Sequence, residues 1–127
     1  MPEMSRRASS EGDADRAVQH RAVYQMKADF FRVLGHPVRV RILELLKDGE
    51  RTVGDLQSEL QMDSSGTSQH IGALRKHGIL DGRREGTSVY YSVRDPRIFQ
   101  LLEVSRQILT SSLTESQAVL DELAGTP

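Results

Sequence analysis

A mainly α-helical chain carrying one small β-hairpin is the fold class this sequence predicts, and three consecutive stretches predict it. TVGDLQSELQMD, residues 52–63, sets Val53, Leu56 and Leu60 on one face of a short amphipathic helix. SSGTSQHIGALRKHGILDG, residues 64–82, sets Ile71, Leu74 and Ile79 inward on a second helix, with a tight polar turn between the two. In the third stretch, two strand-like runs, Ile79–Arg84 and Ser88–Val93, flank Glu85-Gly86-Thr87, where glycine can supply the positive φ of a hairpin. Helix, turn, helix and basic hairpin make a winged helix-turn-helix, an architecture that places one helix in a DNA major groove.

The remaining elements follow in chain order. Residues 1–18 mix Pro, Ser, Gly and charge with almost no large apolar group, so they are expected to be a flexible N-terminal arm, followed by one folded unit over 19–124. From Gln19 to Leu34, Val23, Met26, Phe30 and Leu34 recur at helical spacing and define a first helix. Gly35-His36-Pro37 ends it and starts the next, with Pro in a first-turn position and His36 as the cap of a helix over Val38–Lys47. Asp48-Gly49-Glu50 then turns the chain. Thr52 is the natural N-cap of the third helix, with Asp55 as its capping-box partner, and Asp63 or Ser64 caps the fourth. Gly78 closes the fourth helix ahead of the hairpin, in which Tyr90 and Tyr91 alternate, one toward the core and one outward. Asp95-Pro96 opens a last long helix, with a kink or break foreseen near Thr110-Ser111-Ser112.

Size and composition bound what the chain can be. Its 127 residues, 37% of them apolar, suit one modest core. Without cysteine there are no disulfides, thiolate ligands or cysteine redox switch, which suits a cytoplasmic protein. No run of about 18 apolar residues is present, so neither a membrane span nor a signal peptide is expected. There is no cysteine nucleophile, no Gly-rich phosphate loop and no supported Ser/His/Asp set, and the expectation is therefore not an enzyme.

The net charge of −1 conceals a polarity along the chain. Residues 64–97 carry six Lys/Arg against three Asp/Glu, whereas residues 98–127 carry Arg106 against four acids. A basic reading half on a neutral protein fits a phosphate-facing surface, because local cations rather than the overall balance set affinity for a duplex. Within that half, Ser64, Ser65, Thr67, Ser68, Gln69 and His70 form the candidate reading face of the fourth helix. Gln69 is the sharpest candidate, since its amide can bond adenine N6 and N7 together. Arg75 and Lys76 at the helix end, and Arg83, Arg84 and Thr87 around the wing tip, are candidate backbone contacts. Gly66 either permits close backbone approach to DNA or is a tolerated helix glycine.

The last helix is longer than one small core needs. Ile98, Leu101, Leu102, Ser105, Ile108 and Leu109 begin a stripe that continues to Leu123, with no other segment long enough to cover it. Together with Val23, Met26 and Phe30 of the first helix, these residues are the expected seam of a homodimer.

FFRVLGHPVRVRILELLKDGERTVGDL, LQMDSSGTSQHIGALRKHGIL and RREGTSVYYSVRDP, spanning about residues 25–97, resemble the ArsR/SmtB family of bacterial winged-helix repressors. The resemblance implies a cytoplasmic homodimeric transcriptional repressor that binds double-stranded DNA at an imperfect inverted repeat. It also exposes departures. Thr52-Val53-Gly54 stands where thiophilic-metal sensors of the family carry a Cys-Val-Cys-type element. Asp95-Pro96-Arg97, and Ile108 with Ser111, stand where other members carry Asp-x-His and His-x-x-Glu. His20, His36, His70 and His77 show no i, i+4 chelating pair, and His77 fits better as a partner of the helix dipole. No metal and no cofactor are therefore expected, and the effector is left open as a small molecule or a protein. The alternatives are a metal-responsive repressor with an atypical His/carboxylate site and a winged-helix module for protein or RNA contact.

Overall fold

The computed structural model describes the backbone of residues 2–125 and side chains from Ser10 to Gly125. Five helices and a three-stranded sheet follow the order α1 (Pro2–Leu34), α2 (Pro37–Leu45), β1 (Arg51–Thr52), α3 (Val53–Leu60), α4 (Ser64–Lys76), β2 (Leu80–Glu85), β3 (Ser88–Val93) and α5 (Arg97–Gly125). A single 3-10 turn over Leu46–Asp48 finishes α2.

The core is built where α2, α3 and α4 meet the sheet. Ile42 and Leu43 of α2, Leu56 of α3, Leu74 of α4 and Leu80 of β2 are wholly buried, and Val33, Leu34, Leu46, Ile71, Ile79 and Ile98 complete the cluster. Local chemistry sets the boundaries of these elements. His36 Nδ1 accepts from the Val38 N–H at 3.1 Å, which caps α2 as expected. Thr52 and Asp55 form a reciprocal capping box at the start of α3, each side chain accepting from the other's backbone N–H. Gly78, with φ +73°, releases the chain from α4 into β2. Across the hairpin, Glu85 pairs with Ser88, and positive φ at Gly86 alone of the two turn residues is the pattern of a type II′ turn.

Four features depart from the sequence expectations. First, β1 was not foreseen: Arg51 pairs with Tyr91 and Thr52 with Tyr90, giving the sheet order β1-β3-β2. Two residues are too short to show an alternating pattern. Second, the expected flexible arm over 1–18 is helical backbone from Pro2, Met1 lying outside the described residues; no proline interrupts 3–34, and Arg16 pairs with Asp13 one turn away. Third, α5 runs unbroken through Thr110-Ser111-Ser112, where Thr114 and Ser116 hydroxyls donate back to the Thr110 and Ser112 carbonyls. Fourth, Tyr90 and Tyr91 are both half-buried, Tyr91 against the core and Tyr90 under the Arg83 guanidinium.

Candidate nucleic-acid interface

The turn into α4 is made by two local devices. Gln61 adopts the left-handed conformation, φ +53°, and its N–H bonds the Gln57 carbonyl, ending α3. Asp63 then caps α4 by accepting from the Gly66 N–H at 2.8 Å. A Cβ on Gly66 would lie 2.8 Å from that same carboxylate oxygen, so this glycine makes room for the cap.

From this start the helix divides into two faces. Thr67, Ile71 and Leu74 point inward and are buried. Thr67 was expected on the reading face, but its side chain is fully buried and its hydroxyl donates to the Asp63 carbonyl at 2.8 Å, so it is withdrawn from that face. Ser64, Ser65, Ser68 and Gln69 are exposed together on the other side, and Gly72 extends the same surface. His70 is half-buried: its ring lies 4.3 Å from that of His36, and its Nδ1 accepts from Arg39 Nε at 3.2 Å. Burial, followed by the nearby His36 and Arg39, holds the His70 pKa below the ordinary histidine value. Arg39 and His36 were not foreseen here, because their contact with His70 spans more than 30 residues of sequence.

The candidate cations sort by their surroundings. Arg75 and Lys76 are exposed at the end of α4, where Arg75 lies over the Tyr91 ring and against Gly82. His77 bonds the Ala73 carbonyl in the last turn, as expected of a dipole partner. Cross-strand pairing puts Gly82 and Arg84 on the same face of the hairpin as Tyr91 and Val89, which is the face that Arg75 of α4 covers. Arg83 lies on the opposite face. It is fastened there by Glu50 at 3.1 Å and Glu85 at 2.7 Å, which raise its pKa further. The sequence names both Arg83 and Arg84 as wing contacts to the DNA backbone; Arg83 is engaged by these two carboxylates, while Arg84 makes no ion pair among the described residues. Thr87 is exposed at the wing tip.

The expected dimer seam also divides. Val23, Met26, Ser105, Ile108 and Leu109 are exposed, Met26 to 72% and Ile108 to 64%, whereas Phe30, Leu101 and Leu102 are half-buried against the core. Ile98 is a correction: at the start of α5 it is buried and belongs to the core cluster of the chain's own fold. Among the described residues, no three His, Cys, Asp or Glu side chains come together in a way that could hold a metal ion.

With this geometry in view, the likeness to known proteins is specific. A helix-turn-helix domain family matches residues 34–83. The HTH-type transcriptional regulator Rv0081 of Mycobacterium tuberculosis is 44% identical over 102 residues, 80% of this chain and 90% of that protein. Its crystal structure superposes with a TM-score of 0.70 over 74% of this chain and 95% of that one. A homodimeric winged helix-turn-helix DNA-binding domain from Mycobacterium bovis, Mb0332, described as a possible ArsR-family regulator, superposes with a TM-score of 0.69 at 27% identity, covering 76% of this chain and 90% of that one. The biofilm growth-associated repressor of Agrobacterium fabrum is 34% identical over 76 residues, 60% of this chain and 65% of that protein. The chain belongs to the ArsR-type winged helix-turn-helix transcriptional regulators, a family of regulators and not of enzymes.

Proposed function

We propose that the chain is a homodimeric repressor that reads an inverted-repeat operator in double-stranded DNA with α4 and the wing. The observation that carries this is the outward face of Ser64, Ser65, Ser68 and Gln69, backed by wholly buried Thr67 and Leu74, so that a rigid helix offers only hydrogen-bonding groups to a groove. Gln69 reads a base edge, the serines bond phosphate or base, and Arg75, Lys76, Arg84 and Thr87 hold the backbone. Arg83 braces the wing through Glu50 and Glu85.

Dimerisation through the exposed stripes of α1 and α5 supports this reading, because paired reading heads match a two-fold operator. In this division residues 19–124 form the DNA-binding and dimerisation unit, and residues 2–18 are the N-terminal part of α1. The repressor acts in the cytoplasm; no described helix is long and apolar enough to cross a membrane. Thr52-Val53-Gly54 and Asp95-Pro96-Arg97, standing where metal-sensing relatives place ligands, favour an effector other than a family-typical metal.

The test is binding to a duplex selected from a random pool by the full-length protein. Gln69→Ala relaxes discrimination against single-base changes at one position per half-site by about 1–3 kcal/mol, with little change in salt dependence. Unaltered discrimination in Gln69→Ala would remove α4 as the reading helix.

A further inference from the structure

Arg39 joins three elements through one side chain. It stands in α2, its Nη1 donates to the Val33 carbonyl near the end of α1 at 3.3 Å, and its Nε donates to His70 Nδ1 on α4 at 3.2 Å. A guanidinium only donates, so His70 Nδ1 must be the bare nitrogen and its proton must sit on Nε2. The same reasoning applies to His36. Its Nδ1 accepts from the Val38 N–H, so its proton is also on Nε2, and the two rings lie 4.3 Å apart. The His70 imidazole is therefore neutral in this arrangement. A further proton on it must land on Nδ1, displacing the bond held there and setting a cation against Arg39.

We infer that Arg39 is a positioning residue for the reading helix: it fixes His70 as a neutral, oriented Nε2–H donor, and with His36 it makes discrimination between DNA sequences fall on acidification. The inference rests on the DNA-reading proposal above. The groups that bear on His70 are Arg39 and His36 from α2 and its cap. Across a small recess bordered by Arg39 lie His77 from α4 and, from α1, Asp29 and Arg32, which are paired with each other at 3.0 Å. The carboxylate beside this cluster is thus already engaged by Arg32, and a second proton on His70 meets cations. Burial lowers the His70 pKa, with His36 and Arg39 acting in the same direction. Since the folded value lies below the unfolded one, the associated stability is whole above about pH 6.5 and is lost as pH falls through the lowered value.

Two readouts test this. Long-range 15N correlation spectra of the full-length protein at pH 7.5 should show His70 with a bare Nδ1 and a protonated Nε2, and Arg39→Lys, which keeps the charge but loses the fork, should remove that preference. Anisotropy titrations should compare the selected duplex with a scrambled one from pH 7.5 to 4.5. For the wild type, the affinity ratio should hold above about pH 6.5 and fall below it, by up to about tenfold at the acid end, the size of one neutral hydrogen bond. Arg39→Lys should begin near the low-pH ratio and stay flat, with the salt slope on scrambled DNA unchanged. His70→Gln, which keeps an amide donor near the Nε2 position but does not titrate, should also give a flat profile. A wild-type ratio that does not move with pH, or a His70 protonated on Nδ1 at pH 7.5, would overturn the inference. Failure to discriminate the selected duplex at any pH would instead sink the DNA-reading proposal, and the tautomer measurement would still decide the role of Arg39.

Discussion

The unit from α2 to the wing and the two long helices that flank it use the same sequence signal for opposite ends. In α4, apolar residues at helical spacing are inside: Ile71 and Leu74 are at most 2% exposed. In α5, residues with the same spacing are outside: Ile108, Leu113 and Leu123 are each more than 60% exposed. Helical periodicity states which side chains share a face, and it is silent on whether that face finds a partner within the chain. The first region closes its core with α2, α3 and the sheet. Among the described residues the second leaves its stripe uncovered, and in the proposal above a second copy covers it.

The largest expected effect belongs to the closed region. Leu74→Ala removes a wholly buried side chain and should lower unfolding free energy by about 2–5 kcal/mol, read from the urea midpoint. A loss as small as that of a surface leucine would break the contrast. Next, Ile108→Glu with Leu109→Glu places charges in the open stripe. The pair should weaken self-association by about 100-fold in sedimentation equilibrium while far-UV circular dichroism keeps its helical signal. A double variant that stays dimeric, or a wild type that is monomeric at micromolar concentration, would show that α5 is not the seam.

Smaller effects sharpen the comparison within the closed region. Thr52→Ala opens the α3 capping box and should cost about 1 kcal/mol in chemical denaturation. Hydrogen bonds from the Thr52 backbone and hydroxyl hold the Asp55 carboxyl below its usual value. Its folded pKa is the lower one, so the cap's contribution is present above about pH 4 and lost as pH falls through the folded value, and Thr52→Ala should flatten that dependence. The smallest effect separates two adjacent arginines. Arg84→Ala should reduce the salt slope of DNA binding by about one, and Arg83→Ala by clearly less, because Glu50 and Glu85 already occupy it. Equal slopes would mean that the carboxylates release Arg83 to phosphate.

How far the sequence could be read depended on the span of each interaction. The Thr52–Asp55 box, the Asp63 cap, the His36 cap and the Gly86 turn were legible because donor and acceptor lie within three residues of each other. Arg83 with Glu50 is separated by 33 positions and Arg39 with His70 by 31, and nothing local announces either pair. Thr67 was misread for a related reason. A threonine reads as polar, but its hydroxyl is satisfied by the Asp63 carbonyl one turn back, which lets the side chain enter the core.

The order of helices, their caps, the hairpin and the polar character of the α4 face were written in the chain, since each follows from bonds among near neighbours and from a repeat of 3.6 or 2 residues. Folding in three dimensions settled which polar groups of that face remain free, which arginine is tethered, that Ile98 turns inward, and that Arg39 stands behind His70. Those outcomes depend on burial and on contacts between residues far apart in sequence, and only closing the core brings such residues within reach of one another.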